Sequence, residues 1–173
     1  MLSLNYFQLF ELPETFALTL SALETPYRRI QASAHPDRYV TATPTEKRQS
    51  MQLATLANEA YLTLKNPAKR AEYLLNLKGI DSLNDSNTSM PADFLMQQME
   101  WREALEDASM AKDTAGLESL FDEMQAEANR LTTVLTDLID SKKDYPTASE
   151  ITRKLVFIDK VCADIQQAIE RLD

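Results

Sequence analysis

Glycine occupies only two of the 173 positions, Gly79 and Gly116. Tight hairpins rely on glycine where φ must be positive, so a chain this poor in it has few places to build strand reversals. Ala, Leu, Glu, Gln, Met and Lys recur instead, all strong helix formers. An all-α fold follows, and the length suits one ordinary domain or two small ones.

The pattern along the chain favours two. Tyr6, Phe7 and Phe10 mark a short helix over about residues 4–10, ended by Leu12-Pro13. Thr19 is an N-cap for a second helix with Leu20, Leu23, Tyr27, Ile30 and Ala34 on one face, which stops at Pro36. Residues 39–44 read as a loop. Thr43-Pro44-Thr45-Glu46 then has the form of a capping box with proline at the first helical position.

The third helix runs to about Lys65, with Met51, Leu53, Ala54, Leu56, Ala57, Ala60, Tyr61 and Leu64 as the face expected to pack antiparallel on the second. Asn66-Pro67 starts a fourth helix ending at Gly79, a C′ residue. Residues 81–90 are polar, turn-forming and unperiodic, so the expected division is 1–79, a linker over 80–90, and 91–173. Three longer patterns follow, at roughly 91–111, 113–141 and 147–172, separated by breaks such as 142–146. Short breaks make neighbours antiparallel, which predicts a three-helix bundle.

Charge divides along the same line. Residues 1–78 carry nine Lys/Arg against seven Asp/Glu, a net of +2, whereas 79–173 carry nine against twenty, a net of −11. Such an acidic chain without a long basic stripe is not expected to bind nucleic acid. No apolar run approaches the roughly 20 residues needed to span a bilayer and no secretory pattern opens the chain, so a cytoplasmic protein without membrane partners is expected. With one cysteine, Cys162, and one histidine, His35, no metal-ligand cluster is expected and no cofactor is called for.

That histidine stands in His35-Pro36-Asp37, at the exit of an amphipathic helix carrying Tyr27, Arg28 and Arg29, and is followed by Arg38. Alone the tripeptide is a weak signal. Between two antiparallel helices, and followed by Asn58-Glu59-Ala60-Tyr61, Asn66-Pro67 and Arg70-Ala71-Glu72-Tyr73, it resembles the J-domain. Proline fixes φ and ends the helix, so His35 and Asp37 are expected to project from a constrained corner. The resemblance implies that His35, Pro36 and Asp37 engage a DnaK-like ATPase chaperone and stimulate ATP hydrolysis there, with Arg28, Arg29 and Arg38 steering the encounter. Ser33 and Ala34 stand where many J-domains have Lys and an aromatic residue, a departure that points to a specialised chaperone partner.

The second half lacks the Gly/Phe-rich linker and zinc-binding Cys repeats of general-purpose J-proteins. On a helical wheel of about 100° per residue, Phe94, Trp101, Leu105 and Ala108 share a core stripe, whereas Leu95, Met96 and Met99 fall on the far side among Glu100, Glu103, Glu106 and Asp107. Contiguous apolar residues on a solvent face suggest a partner site. In the last helix Ile151, Leu155, Ile158, Val161, Cys162, Ile165, Ile169 and Leu172 form the core stripe, leaving Val156 outside and Phe157 on its shoulder, where it joins the apolar patch.

Residues 91–103 and 153–160 resemble the two signature segments of HscB, and with the J-domain in front the likeness covers nearly the whole chain. It implies an L-shaped co-chaperone whose C-terminal bundle holds an IscU-like iron–sulfur scaffold through Leu95, Met96, Met99, Glu100, Glu103, Asp107 and Phe157. The scaffold would pass to an HscA-like chaperone. Met99 and Asp107 replace the Leu and Glu frequent in that family.

Three other readings compete. A general J-protein delivering unfolded clients to a housekeeping DnaK-like chaperone needs His35 to Asp37 but not the Leu95 to Phe157 surface. An enzyme would need a phosphate loop, a nucleophile set or a ligand cluster that the sequence does not offer. A purely structural adaptor would leave the tripeptide without a role.

Overall fold

The computed structural model describes residues 3–83 and 90–173, which are helical throughout their regular structure and contain no strand. Residues 84–89 of the expected linker lie outside the described residues. Contacts divide the chain into one compact unit up to Leu74 and another from Leu75 onward, so the division falls within a helix, upstream of residues 80–90.

In the first unit, α1 (Tyr6–Leu9) is shorter than its apolar residues suggest, because Asn5 leaves the helix to cap it. The Asn5 side chain accepts from the Gln8 N–H and the Gln8 side chain accepts from the Asn5 N–H, a reciprocal capping box. Phe7 and Phe10 are buried. So is Phe16, which no periodicity reveals because it sits in the connecting segment.

Thr19 caps α2 (Leu20–Ser33) by accepting from the Ala22 N–H at 3.3 Å, as its position before the apolar stripe predicts. Past the stop at Pro36 the chain tightens into a 3-10 turn over Pro36–Tyr39 before the expected loop. The expected Thr43/Glu46 capping box opens α3 (Pro44–Lys65), with Glu46 accepting from the Thr43 N–H at 2.9 Å.

Tyr27 pairs with Tyr61 and Gln31 with Asn58, a descending register that makes α2 and α3 antiparallel. The buried stripe of α3 is Ser50, Ala57, Ala60 and Leu64, whose small members allow close approach of α2. Met51, expected in the core, instead lies 67% exposed, one position round the helix from Ser50. Leu53, Ala54, Leu56 and Tyr61 are half-buried on the shoulders of that stripe. Leu20 is also exposed, in the first turn of α2, while Leu23 is fully buried.

Asn66 starts α4 (Pro67–Leu77) by accepting from the Lys69 N–H. Gly79 ends it at φ +80°, with its N–H donating to the Asn76 carbonyl and the Ile80 N–H to the Leu75 carbonyl. This is a Schellman closure, and a side chain at Gly79 would be strained by its backbone.

The second unit is a bundle of three helices, α5 (Ala92–Met110), α6 (Thr114–Thr136) and α7 (Tyr145–Leu172). Asp113 caps α6 from a tight turn through Lys112, accepting from the Gly116 N–H at 3.0 Å. A Cβ at Gly116 would collide with the Asp113 carboxylate, so the second glycine is tied to this cap. α6 closes in a π-helical turn over Asp137–Ser141. Asp144 caps α7, which starts earlier than the expected residue 147 because Tyr145 and Pro146 form its first turn. Leu117, Met124, Leu135, Ile158, Val161 and Ile165 are buried at the α6/α7 contact, while Ile151, Ile169 and Leu172 at the ends of the expected stripe are half-buried.

Candidate functional site

Two surfaces carry the residues singled out by the sequence, one in each unit. In the first, His35, Pro36 and Asp37 form the N-terminal edge of the 3-10 turn and all three are exposed. The His35 side chain is the cap of this turn: its Nδ1 accepts from the Asp37 N–H at 3.2 Å, and lies 3.6 Å from Asp37 Oδ2. With Nδ1 engaged, Nε2 is the ring nitrogen left for an incoming partner.

The turn is anchored from beneath and behind. Ala34 is buried, the His35 carbonyl accepts from the Arg38 N–H at 3.0 Å, and the Tyr39 hydroxyl donates to the Ser33 carbonyl at 3.2 Å. Pro36 supplies a fixed φ at the first position. The tripeptide is therefore held at a defined angle to α2 while its side chains stay in solvent.

Arg28 and Arg29, about two turns before His35 on α2, have side chains 77% and 67% exposed. Each has one loose carboxylate neighbour, Glu24 at 3.7 Å and Glu11 at 3.9 Å. Exposed pairs at such distances are weak and screened, so both guanidinium groups remain open to a stronger acidic partner. Arg38 is exposed within the turn itself. Arg28, His35 and Pro36 also line a shallow groove whose floor is Gln31, Ala34 and Asn58.

In the second unit, α5 divides along its wheel, with Leu105 and Ala108 of the expected core stripe half-buried. Phe94 and Trp101 are buried, while Leu95, Met96 and Met99 are 47%, 63% and 72% exposed. Glu100, Glu103 and Asp107 are exposed on the same helix. At about 100° per residue Met96, Met99, Glu103 and Asp107 lie within one face, with Leu95 and Glu100 at its two margins. An apolar strip rimmed by carboxylates results.

Phe157 is placed differently from the other six. It is half-buried in the seam between α5 and α7, edge-on to Phe94 at 5.9 Å and near-parallel to Trp101 at 6.4 Å. The Arg102 guanidinium covers its ring at 5.3 Å and is itself drawn toward Asp164 at 3.9 Å. Lys154 sits similarly over Phe94 at 5.4 Å. Phe157 thus contributes packing first and only part of its surface to the outside. Arg102, not singled out in the sequence, follows Trp101 on α5 and reaches α7 at both Phe157 and Asp164.

Among the described residues no group of His, Cys, Asp and Glu could hold a metal ion, and no helix is long and apolar enough to cross a membrane.

Residues 90–166 match the family described as the HscB C-terminal oligomerisation domain. The chain is 51% identical over 175 residues to a co-chaperone protein HscB homolog of Paraburkholderia phymatum, covering 100% of this chain and 99% of that one. It is 47% identical over 169 residues to the homolog of Burkholderia thailandensis, covering 98% and 96%. Among solved structures it is similar to chaperone HscB from Vibrio cholerae, with TM-score 0.83, 36% identity, and coverage of 98% of this chain and 100% of that one. Human co-chaperone protein HscB gives TM-score 0.86 at 28% identity, covering 95% and 82%.

Proposed function

The chain belongs to the HscB family of co-chaperones, and from that premise we propose that it binds an IscU-like iron–sulfur scaffold, delivers it to an HscA-like, DnaK-type chaperone and stimulates that chaperone's ATPase. It acts in the cytoplasm and performs no chemistry of its own. His35, Pro36 and Asp37 contact the chaperone, with Arg28, Arg29 and Arg38 orienting the encounter. Leu95, Met96, Met99, Glu100, Glu103, Asp107 and the outer edge of Phe157 hold the scaffold.

The observation that carries this reading is the exposure of Leu95, Met96 and Met99 on a helix that buries Phe94 and Trp101 on its opposite face. Three large apolar side chains left together in water cost free energy that burial against a partner recovers, on the order of 1 to 2 kcal/mol each. The surrounding carboxylates select a partner with basic residues at its contact and speed association. On the other unit, a rigid corner with open side chains suits recognition of a groove on an ATPase.

The test measures two activities on one protein. Leu95, Met96 and Met99 all changed to Ala should abolish binding of folded scaffold and leave basal stimulation of the chaperone ATPase intact. His35→Gln should do the reverse. Tight binding of denatured protein with no preference for folded scaffold would identify a general J-protein instead. A dimer that dissociates on the triple substitution would assign the α5 face to a second copy of the chain.

A further inference from the structure

Seven methionines are present in the chain, and two of them make up most of the exposed apolar strip on α5. Met96 and Met99 are 63% and 72% exposed, one turn apart, whereas Met124 in the bundle core is fully buried. A thioether in solvent is open to two-electron oxidants, while one inside a packed core is shielded. Oxidation here would strike a surface rather than the fold.

We propose that Met96 and Met99 are a reversible oxidation site that switches the α5 docking face off. The inference rests on the scaffold-binding reading above and adds its regulation. In the chemical step a sulfur lone pair attacks the near oxygen of a peroxide. The S–O bond forms as the O–O bond breaks, the sulfur loses two electrons, and the departing oxygen leaves as water after taking up the peroxide proton. The product is a sulfoxide, polar and chiral, where an apolar side chain stood.

Three features make this position responsive. Within the stretch from Leu95 to Asp107 the strip has one other large exposed apolar member, Leu95, so two sulfoxides convert most of the apolar area there. The neighbours Glu100, Glu103 and Asp107 are acceptors only when ionised, as is a sulfoxide oxygen, so the new dipoles find no donor among them. Burial against the apolar part of the partner's contact, which Met96 and Met99 face in the reduced form, would strip those oxygens of water without replacing it, which is costly. The helix itself is indifferent, since neither side chain makes a hydrogen bond or packs in the core.

The sulfoxide is also a form that cells can reduce, so the change is a switch and not a lesion. Met51, 67% exposed, lies on α3 in the other unit, and Met110, 78% exposed, is on the same face of α5 but eleven residues beyond Met99 at the helix end; oxidation at these two is expected to be silent for scaffold binding.

The experiment exposes the full chain to hydrogen peroxide, locates sulfoxide by peptide mass, and measures affinity for folded scaffold before and after. Expected is oxidation at residues 96 and 99 without loss of helix signal, a fall in affinity of about tenfold or more, and recovery on treatment with methionine sulfoxide reductases. A Met96→Leu/Met99→Leu variant, compared with its own affinity before treatment, should keep that affinity through the same exposure to peroxide. Unchanged affinity of the oxidised wild type, or equal loss in the Leu variant, overturns the switch while leaving the docking face in place. No scaffold binding by the untreated protein overturns both.

Discussion

The Tyr27 hydroxyl donates a 2.6 Å hydrogen bond to the Asn58 side-chain oxygen, joining α2 to α3 two turns before His35. Gln31 Nε2 reaches the same pair, at 2.6 Å from the Tyr27 hydroxyl and 3.3 Å from Asn58, and the Tyr27 ring stacks on Tyr61 at 4.1 Å. The two helices are thus locked in register beside the groove that leads to the tripeptide. Asn58→Ala should cost about 1 kcal/mol and loosen this corner. Hydrogen exchange of α2 amides should quicken and chaperone ATPase stimulation should fall, with Tyr27→Phe milder because it keeps the stack. Unchanged exchange in α2 would show that the stack alone sets the register.

Arg70 is the buried cation of the first unit, only 7% exposed. Its Nε donates to the Phe16 carbonyl at 2.8 Å, its Nη1 to the Leu64 carbonyl at 2.7 Å, and its guanidinium lies 4.7 Å from the Phe16 ring. It ties the segment before α2 to the end of α3. Arg70→Met should strand those carbonyls and destabilise the unit by roughly 2 to 4 kcal/mol. Early proteolytic cleavage near Phe16, with scaffold binding by the bundle unchanged, is the expected readout.

Phe157 and Leu95 should separate under alanine substitution. Leu95→Ala removes an exposed side chain and should shift stability by no more than about 0.5 kcal/mol. Phe157→Ala empties the ring stack beside Trp101 and should cost about 2 to 3 kcal/mol. Trp101 is the sole tryptophan, so its fluorescence during urea unfolding reports on the bundle alone. A loss of scaffold binding in Phe157→Ala is therefore interpretable only beside that measurement.

Cys162 is 4% exposed, and burial pushes its thiol above the ordinary range, partly countered by a hydrogen bond from Gln125 and reinforced by the nearby Asp159 charge. A raised folded value means the fold favours the neutral thiol. That contribution is complete below the ordinary thiol value near 8.5 and is lost as pH rises through the higher folded value. Thiol reagents should react with the native protein slowly at neutral pH. Stability should decline in the alkaline range, and Cys162→Ala should remove part of that slope. Rapid labelling of the native protein at pH 7 would contradict the packing.

Much of this molecule is readable from local chemistry. The caps at Thr19, Thr43 and Asn66, the stop at Gly79 and the two-faced wheel of α5 each depend on residues within four or five positions of one another, a range over which side chain and backbone interact whatever the rest of the chain does. The same range bounded what was missed. Met51 is expected in a core whose stripe is set by how closely α2 approaches, and the Tyr39 hydroxyl that braces the 3-10 turn reaches back six positions to the Ser33 carbonyl.

Helical class, helix order, the exposed tripeptide and the apolar strip on α5 were determined by the sequence itself, because spacing alone decides which side chains share a helix face. Only the tertiary structure decided that Phe16 is core, that Arg70 ends between the Phe16 and Leu64 carbonyls, and that Phe157 lies under Arg102. Those residues lie up to 55 positions from their partners, and no local period encodes a contact made only once the helices have packed.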